Sequence, residues 1–281
     1  VCGLVILVGL PALAQEDQKP YDQQMNVLYG ETHGVGLLMD VFAPLENANG
    51  LGVVDVTSGA WHSDRGKIRD RELLYAVLNA HGFTVFAVRP GSRTKFTGLE
   101  MVANMKLGIR YIRARADEYG IDPDRMGLMG ASAGGHLALM TILTADEGVP
   151  EAERFGEAFK AVGVFFPPTD FRDWDGEARD LSNMDSFAFD GGTACHDADE
   201  IVARARELSP VNHLRDNMPP MIFYHGDADP LVPLQQSEKM VRLINEAGGE
   251  AELVVVPGGA HPWPTIGEEV AHLAQWFKKH L

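Results

Sequence analysis

The sequence predicts an α/β domain built on a mostly parallel, doubly wound sheet of eight strands with helices on both faces. Three observations predict it. Strand-like and helix-like segments alternate over most of the length, the pattern of parallel strands joined by crossover helices. The chain has 281 residues, 45% of them hydrophobic, enough to bury one large core. No internal repeat, low-complexity tract or long linker interrupts the alternation.

Each element has its own signal. Short runs rich in β-branched and apolar residues mark strands at Val27–Glu31, Gly36–Ala43, Gly52–Thr57, Thr84–Arg89, Arg125–Met129, Ala161–Phe166, Met221–His225 and Glu252–Val256. Apolar residues at helical intervals mark Lys67–Ala80, Leu99–Tyr119, Ala133–Thr144, Leu234–Ala247 and Glu268–His280. The second of these stops at Gly120 and turns through Asp122-Pro123-Asp124 into the next strand. From Pro167 to Leu214 the rhythm breaks. That stretch is rich in Asp, Gly, Phe and Trp, holds one short helix around Asp199–Glu207, and is too long for an ordinary connection. It is expected to run as an excursion along one edge of the active site.

The opening run "VCGLVILVGLPALA", residues 1–14, is uncharged, ends in Ala12-Leu13-Ala14 and passes at once into "QEDQKP". The pattern predicts the end of a signal peptide, without its basic n-region. It is short for a membrane span of about 20 residues. The expectation is a mature domain over residues 15–281, secreted or periplasmic. Cys2 lies in the leader, which leaves Cys195 alone, so no intrachain disulfide and no cysteine metal framework are expected. The formal net charge of −16 falls entirely in the mature part, against nucleic acid or an anionic membrane as a partner.

"MGASAGGHLAL", residues 129–139, places one serine among small residues between an apolar strand and a helix. Gly130-Ala131-Ser132-Ala133-Gly134 satisfies G-x-S-x-G in the strand–turn–helix setting that a nucleophile elbow requires. Larger flanking side chains would collide with the neighbouring strand and helix. At the helix N-terminus, the Ala133 N–H faces the place where charge develops on a substrate carbonyl.

A serine hydroxyl needs a histidine to take its proton and a carboxylate to fix the histidine tautomer. On a sheet of this kind these follow in the order Ser, Asp or Glu, His. Of ten histidines, His261 in "PGGAHPWP" leaves the carboxyl end of a late strand, where open α/β sheets assemble their sites. His136 reads as helix support, His225 as a structural hydrogen-bonder, and His272 and His280 as solvated. The loop "GDADPLVP" offers Asp227 and Asp229, between which the residues alone do not choose; Asp227 could instead bond the backbone of its own turn. Neither this pair nor "CHDADE" at 195–200 has metal-ligand spacing, so no metal and no cofactor are expected.

Taken together, "GIDPDRMGLMGASAGGHLAL", "SPVNHLRDNMPPMIFYHGDADPLVPLQQS" and "PGGAHPW" resemble the α/β-hydrolases, in particular the secreted bacterial carboxylesterases near the hormone-sensitive-lipase and feruloyl/acetylxylan-esterase-like branch. The resemblance runs from Val35 to the C-terminus. It implies the α/β-hydrolase fold, selects Asp229 as the acid beside Ser132 and His261, and implies oxyanion donors at Gly59, Ala60 and Ala133 with Trp61 walling the substrate pocket. Two departures stand out. Thr57-Ser58-Gly59-Ala60-Trp61 occupies the place of the family's His-Gly-Gly-Gly-Trp, and Asn104 stands where relatives carry an aspartate, which would leave Arg89 a neutral hydrogen bond in place of an ion pair.

The expected function is a serine carboxylesterase acting through an acyl-enzyme on short-chain or aromatic esters, small or polysaccharide-linked. A serine peptidase of the prolyl-oligopeptidase type would share the elbow and the triad order, with a large extra domain. A non-catalytic binding protein on this scaffold would lack a triad member. A long-chain lipase would carry an apolar lid where 167–214 is acidic.

Overall fold

The computed structural model describes residues 19–145, 150, 154–178 and 184–281. The leader-like run at 1–14 lies outside them. Among the described residues no helix is long and apolar enough to cross a membrane.

The expected sheet is present with eight strands: β1 (Tyr21–Thr32), β2 (Val35–Pro44), β3 (Gly52–Val56), β4 (Thr84–Val88), β5 (Met126–Ala131), β6 (Phe159–Phe165), β9 (Met221–Gly226) and β10 (Ala251–Val256). Two further short strands, β7 (Asp173–Trp174) and β8 (Glu177–Ala178), form a separate hairpin in the 167–214 excursion. The order across the sheet is β1-β2-β4-β3-β5-β6-β9-β10. The first two strands pair antiparallel, β2 runs antiparallel to β4, and every later pairing is parallel.

The strand β1 begins six residues before its expected start. Tyr21–Asn26 is mostly polar because an edge strand has a solvated face, and the register shifts twice, once around Asn26 at φ 57°. The inner strands alternate between two cores. Val54 and Val56 of β3 and Phe86 and Val88 of β4 join one cluster, while Val53, Val85 and Ala87 join the other. The first cluster is closed by helices α3 (Gly98–Arg113), α5 (Ala133–Leu143) and α8 (Gln235–Glu246), and the second by α2 (Glu72–Ala80) and α9 (Ile266–His280). A helix buried on all sides needs no polar face, and every residue of α5 is buried.

Two expected helices are broken. Lys67–Ala80 divides into α1 (Arg65–Arg69) and α2 because the Arg71 side chain turns inward to a buried carboxylate at the junction. Leu99–Tyr119 ends as α3 at Arg113, with α4 (Ala116–Tyr119) a separate turn closed by Gly120 at φ 63°. A capping box of Thr97 and Glu100 sets the start of α3. The expected contact between Arg89 and Asn104 is not formed. Arg89 donates to Asn26 (2.7 Å) and pairs with buried Asp40 (3.4 Å), while Asn104 donates to Pro90 O (2.9 Å). A carboxylate on the antiparallel strand has taken the place of the missing one on the helix.

The excursion contains the β7–β8 hairpin, α6 (Asp185–Ala188), α7 (Ala198–Glu207) and a 3-10 turn at Pro210–Asn212. Its own apolar cluster, including Phe171, Phe187, Phe189 and Leu208, packs against Trp61. Lys239 of α8 holds its entry by bonds of 2.8 Å to both Asp170 and Asp173.

Candidate active site

The loops leaving β3, β5, β6, β9 and β10 converge on a cleft of about 750 Å³ at the carboxyl ends of the strands. Ser132 lies between β5 and α5 at φ 55°, ψ −124°, a conformation that L residues rarely adopt. The turn is this tight because its neighbours are small. A Cβ on Gly130 would stand 2.4 Å from Gly134 O, and one on Gly134 would stand 2.2 Å from Val56 O. The strained serine is pinned at both ends: its N–H donates to Phe165 O (2.9 Å) and its carbonyl accepts from His136 N (2.9 Å).

His261 Nε2 is 2.8 Å from Ser132 Oγ, and His261 Nδ1 is 2.6 Å from Asp229 Oδ2. The Asp229 carboxylate is fully buried, and its other oxygen accepts from Leu231 N (2.8 Å) and Val232 N (3.0 Å). With the carboxylate ionised, Nδ1 carries the ring proton and Nε2 accepts from the serine hydroxyl. The Phe166 ring lies 4.3 Å from the imidazole and backs it. Asp227 does other work, accepting from Gly258 N (2.6 Å) and so joining the acid loop to the histidine loop. The two loops are in backbone contact there, since a Cβ on Gly226 would stand 2.1 Å from Gly259 O.

The three expected oxyanion donors are not equivalent. Gly59 and His62 exchange both backbone hydrogen bonds at 2.9 Å, closing a two-residue turn whose central residues, Ala60 and Trp61, have φ 48° and 58°. The Gly59 N–H is therefore already spent. Ala60 and Ala133, the latter in the first turn of α5, both line the cleft. Positive φ at two residues with side chains costs about 1–2 kcal/mol each, so the turn has to be held from outside.

Two buried networks hold it, and sequence reasoning missed both. Arg71 donates to Val56 O (3.0 Å) and Ser58 O (2.9 Å) while pairing with Asp55 (2.9 Å). Tyr75 Oη donates to the same carboxylate at 2.6 Å, and burial together with that negative charge pushes the phenol well up, keeping it a donor. The only sequence signal was an aspartate inside an otherwise apolar strand. Arg71→Met leaves Asp55 buried without its counter-ion, and urea unfolding should show a loss of about 3–5 kcal/mol.

The second network runs through His136. Its Nδ1 accepts from Trp61 Nε1 (3.2 Å) and its Nε2 donates to Leu208 O (2.7 Å). Burial pushes this imidazole down to about 4. Its folded-state value lies below the ordinary 6.5. Between those values the unfolded chain binds a proton that the native chain refuses, so this contribution to stability is complete above about pH 6.5 and falls as pH drops towards 4. Burial also lowers His225, which lies between Ser237 Oγ (2.7 Å) and Val232 O (2.8 Å), and this adds to the same slope. Urea titrations at stepped pH should show the decline, shallower in a His136→Asn variant.

Trp61 both edges the cleft and packs in the excursion's core, with its ring centre 4.3 Å from that of Phe187. The cleft is further lined by the apolar side chains of Leu73, Leu74 and Val77 of α2, of Pro262 and Pro264, and of Ile266 at the start of α9. Pro168 and Trp174 of the excursion are among the residues that line the cleft.

The BD-FAE family model matches residues 39–244. Esterase LipQ of Mycobacterium tuberculosis (strain ATCC 25618 / H37Rv) is 24% identical over 261 residues, covering 86% of this chain and 57% of LipQ. The chain spans 57–60% of the length of the first curated relatives it matches. Among solved structures, a truncated form of a carbohydrate esterase from gut microbiota superimposes with TM-score 0.79 at 23% identity, covering 94% of this chain and 98% of that one. Thermogutta terrifontis esterase 2 phosphorylated by paraoxon superimposes with TM-score 0.68 at 23% identity, covering 92% and 93%. The sheet order, the strand–turn–helix around Ser132 and the family match over residues 39–244 together place the chain in the BD-FAE family of α/β-hydrolases.

Proposed function

We propose that the chain is a serine-dependent carboxylic ester hydrolase. The observation that carries the reading is the unbroken line from Asp229 through His261 to Ser132, with contacts of 2.6 and 2.8 Å. In this reading His261 Nε2 takes the Ser132 proton as Oγ attacks the ester carbonyl. Asp229 stabilises the imidazolium, and the Ala60 and Ala133 N–H groups receive the oxyanion. Collapse of the tetrahedral intermediate expels the alcohol, which leaves with the proton from His261. Water, activated by the same imidazole, then hydrolyses the acyl-enzyme.

The substrate side of the proposal is a short-chain or aromatic acyl ester, with the alcohol small or carbohydrate-linked. Supporting it are the apolar cleft wall, the acidic rather than apolar excursion, and the solved neighbour described as a carbohydrate esterase from gut microbiota. The neighbour phosphorylated by paraoxon supports a serine mechanism. The leader-like run at 1–14 supports a secreted or periplasmic setting.

The test is a panel of p-nitrophenyl esters of increasing chain length, together with acetylated xylan, a feruloyl ester and a dipeptide amide. The reading expects kcat/KM to peak at short or aromatic acyl groups. Amide turnover above ester turnover would assign a peptidase, an optimum at long chains a lipase, and binding without turnover a non-catalytic scaffold.

A further inference from the structure

We propose that His136 is a positioning residue for the oxyanion site: through the Trp61 indole it holds the turn that presents the Ala60 N–H. The inference rests on the ester-hydrolase reading for its catalytic consequence, but its structural part is independent of that reading.

The argument begins with the strain. A two-residue turn with positive φ at both centres is the conformation that Asn-Gly or Gly-Gly adopts without difficulty. This chain builds it from Ala60 and Trp61, so the loop's own sequence does not favour the shape in which Ala60 faces the cleft. Strained residues persist only where the surroundings over-determine them. Gly59 and His62 close the base of the turn, the Arg93 N–H donates to Trp61 O (2.8 Å) and Arg71 holds the residues before it, but none of these bonds reaches the Trp61 side chain.

The indole is held by His136. It lies in the first turns of α5, the helix that begins at Ala133, and its own N–H bonds Ser132 O at 2.9 Å. It is fully buried, with its ring edge-on to Trp61, Phe171 and Phe187. Leu208 O accepts from Nε2, so that nitrogen carries the proton and Nδ1 is left as the acceptor for the indole N–H. A phenylalanine or leucine would fill the same space. The two directed bonds are what an imidazole adds. They place the nucleophile helix and the oxyanion turn in one rigid unit, so that the Ala60 and Ala133 donors keep a fixed separation. Leu208, at the end of α7, makes the excursion the third member of that unit.

Two substitutions divide the imidazole's roles. His136→Asn keeps a polar atom near the Nδ1 position and loses the bond to Leu208. His136→Gln keeps a donor near the Nε2 position and loses the acceptor for Trp61. With p-nitrophenyl acetate, His136→Gln should lower kcat by about 10- to 100-fold with KM little changed, the signature of a misplaced oxyanion donor. His136→Asn should stay within about threefold of wild type. Adding Ala60→Gly to His136→Gln should restore kcat at least about fivefold, because glycine accepts positive φ without the clamp. Hydrogen–deuterium exchange of the peptide spanning residues 57–63 should quicken in His136→Gln and not in His136→Asn. Equal losses of kcat in the two variants, or unchanged exchange of that peptide in His136→Gln, would overturn the proposal. If the wild type turns over no ester, the exchange measurement still decides the clamp, so failure of the function and failure of the inference are distinguishable.

Discussion

Ser132→Ala is expected to lower kcat for short-chain esters by about 10⁶-fold, the scale reached when the nucleophile of such a unit is removed. The size follows from the chemistry, because without Oγ no acyl-enzyme forms and only the oxyanion donors and the bound geometry remain to help water attack. The variant should fold normally. The bonds that fix the elbow, Ser132 N–H to Phe165 O and His136 N–H to Ser132 O, belong to the backbone and survive the change. Affinity for a non-reactive substrate analogue should hold. Ser132→Gly should be more stable than wild type by about 1 kcal/mol in urea, since φ 55° costs glycine nothing. A Ser132→Ala variant that retained a hundredth of wild-type kcat would move the chemistry elsewhere in the cleft.

The second large effect separates the two aspartates of the acid loop. In Asp229→Asn the amide oxygen can still accept from Leu231 and Val232, so the loop keeps its shape. Its NH₂ group then faces His261 Nδ1, which turns from donor to acceptor. The ring proton moves to Nε2, where it points at Ser132 and prevents the imidazole from acting as base. The expected loss in kcat is about 10⁴-fold with KM unchanged. Asp227→Asn keeps its oxygen for the Gly258 N–H and should stay within about threefold of wild type. Steady-state kinetics on the pair checks this directly. Comparable losses in both variants would mean that the loop's integrity, rather than one carboxylate, is what matters.

The parts of this molecule that the sequence makes legible are those whose signals are local. Buried parallel strands are short apolar runs between turn residues, so their positions agree with expectation to within a residue or two, whereas the start of β1 shows no apolar run because Asp22–Asn26 is largely solvent-facing. The elbow is legible because its small residues adjoin in sequence. The acid is half legible: residues alone offered Asp227 and Asp229, and only the resemblance to a family chose one. The Gly59–His62 turn is illegible in detail, since whether the Gly59 N–H is free depends on the His62 carbonyl closing the turn. The same holds for Arg71 and His136, whose partners lie far away in sequence. Arg71 reads as one more charge on an amphipathic helix until Asp55 is seen beneath it, and its inward turn is also why that helix breaks.

These contacts make one connected account. Asp55, Arg71 and Tyr75 fix the start of the Gly59–His62 turn, His136 and the excursion's aromatic rings hold its indole, and Asp227 joins the Asp229 loop to the His261 loop. The strain at Ser132, Ala60 and Trp61 is concentrated where the chemistry would occur, which is where strained backbone is commonly kept.

The central claim is that Ser132 Oγ is an activated nucleophile, and the most direct measurement is covalent trapping. Incubated with paraoxon, the folded chain should release one equivalent of p-nitrophenol and gain one diethylphosphoryl group by intact mass. Peptide mapping should place that group on Ser132, and Asp229→Asn should slow its formation by orders of magnitude. No adduct, or an adduct on another residue with Ser132 unmodified, would contradict the account.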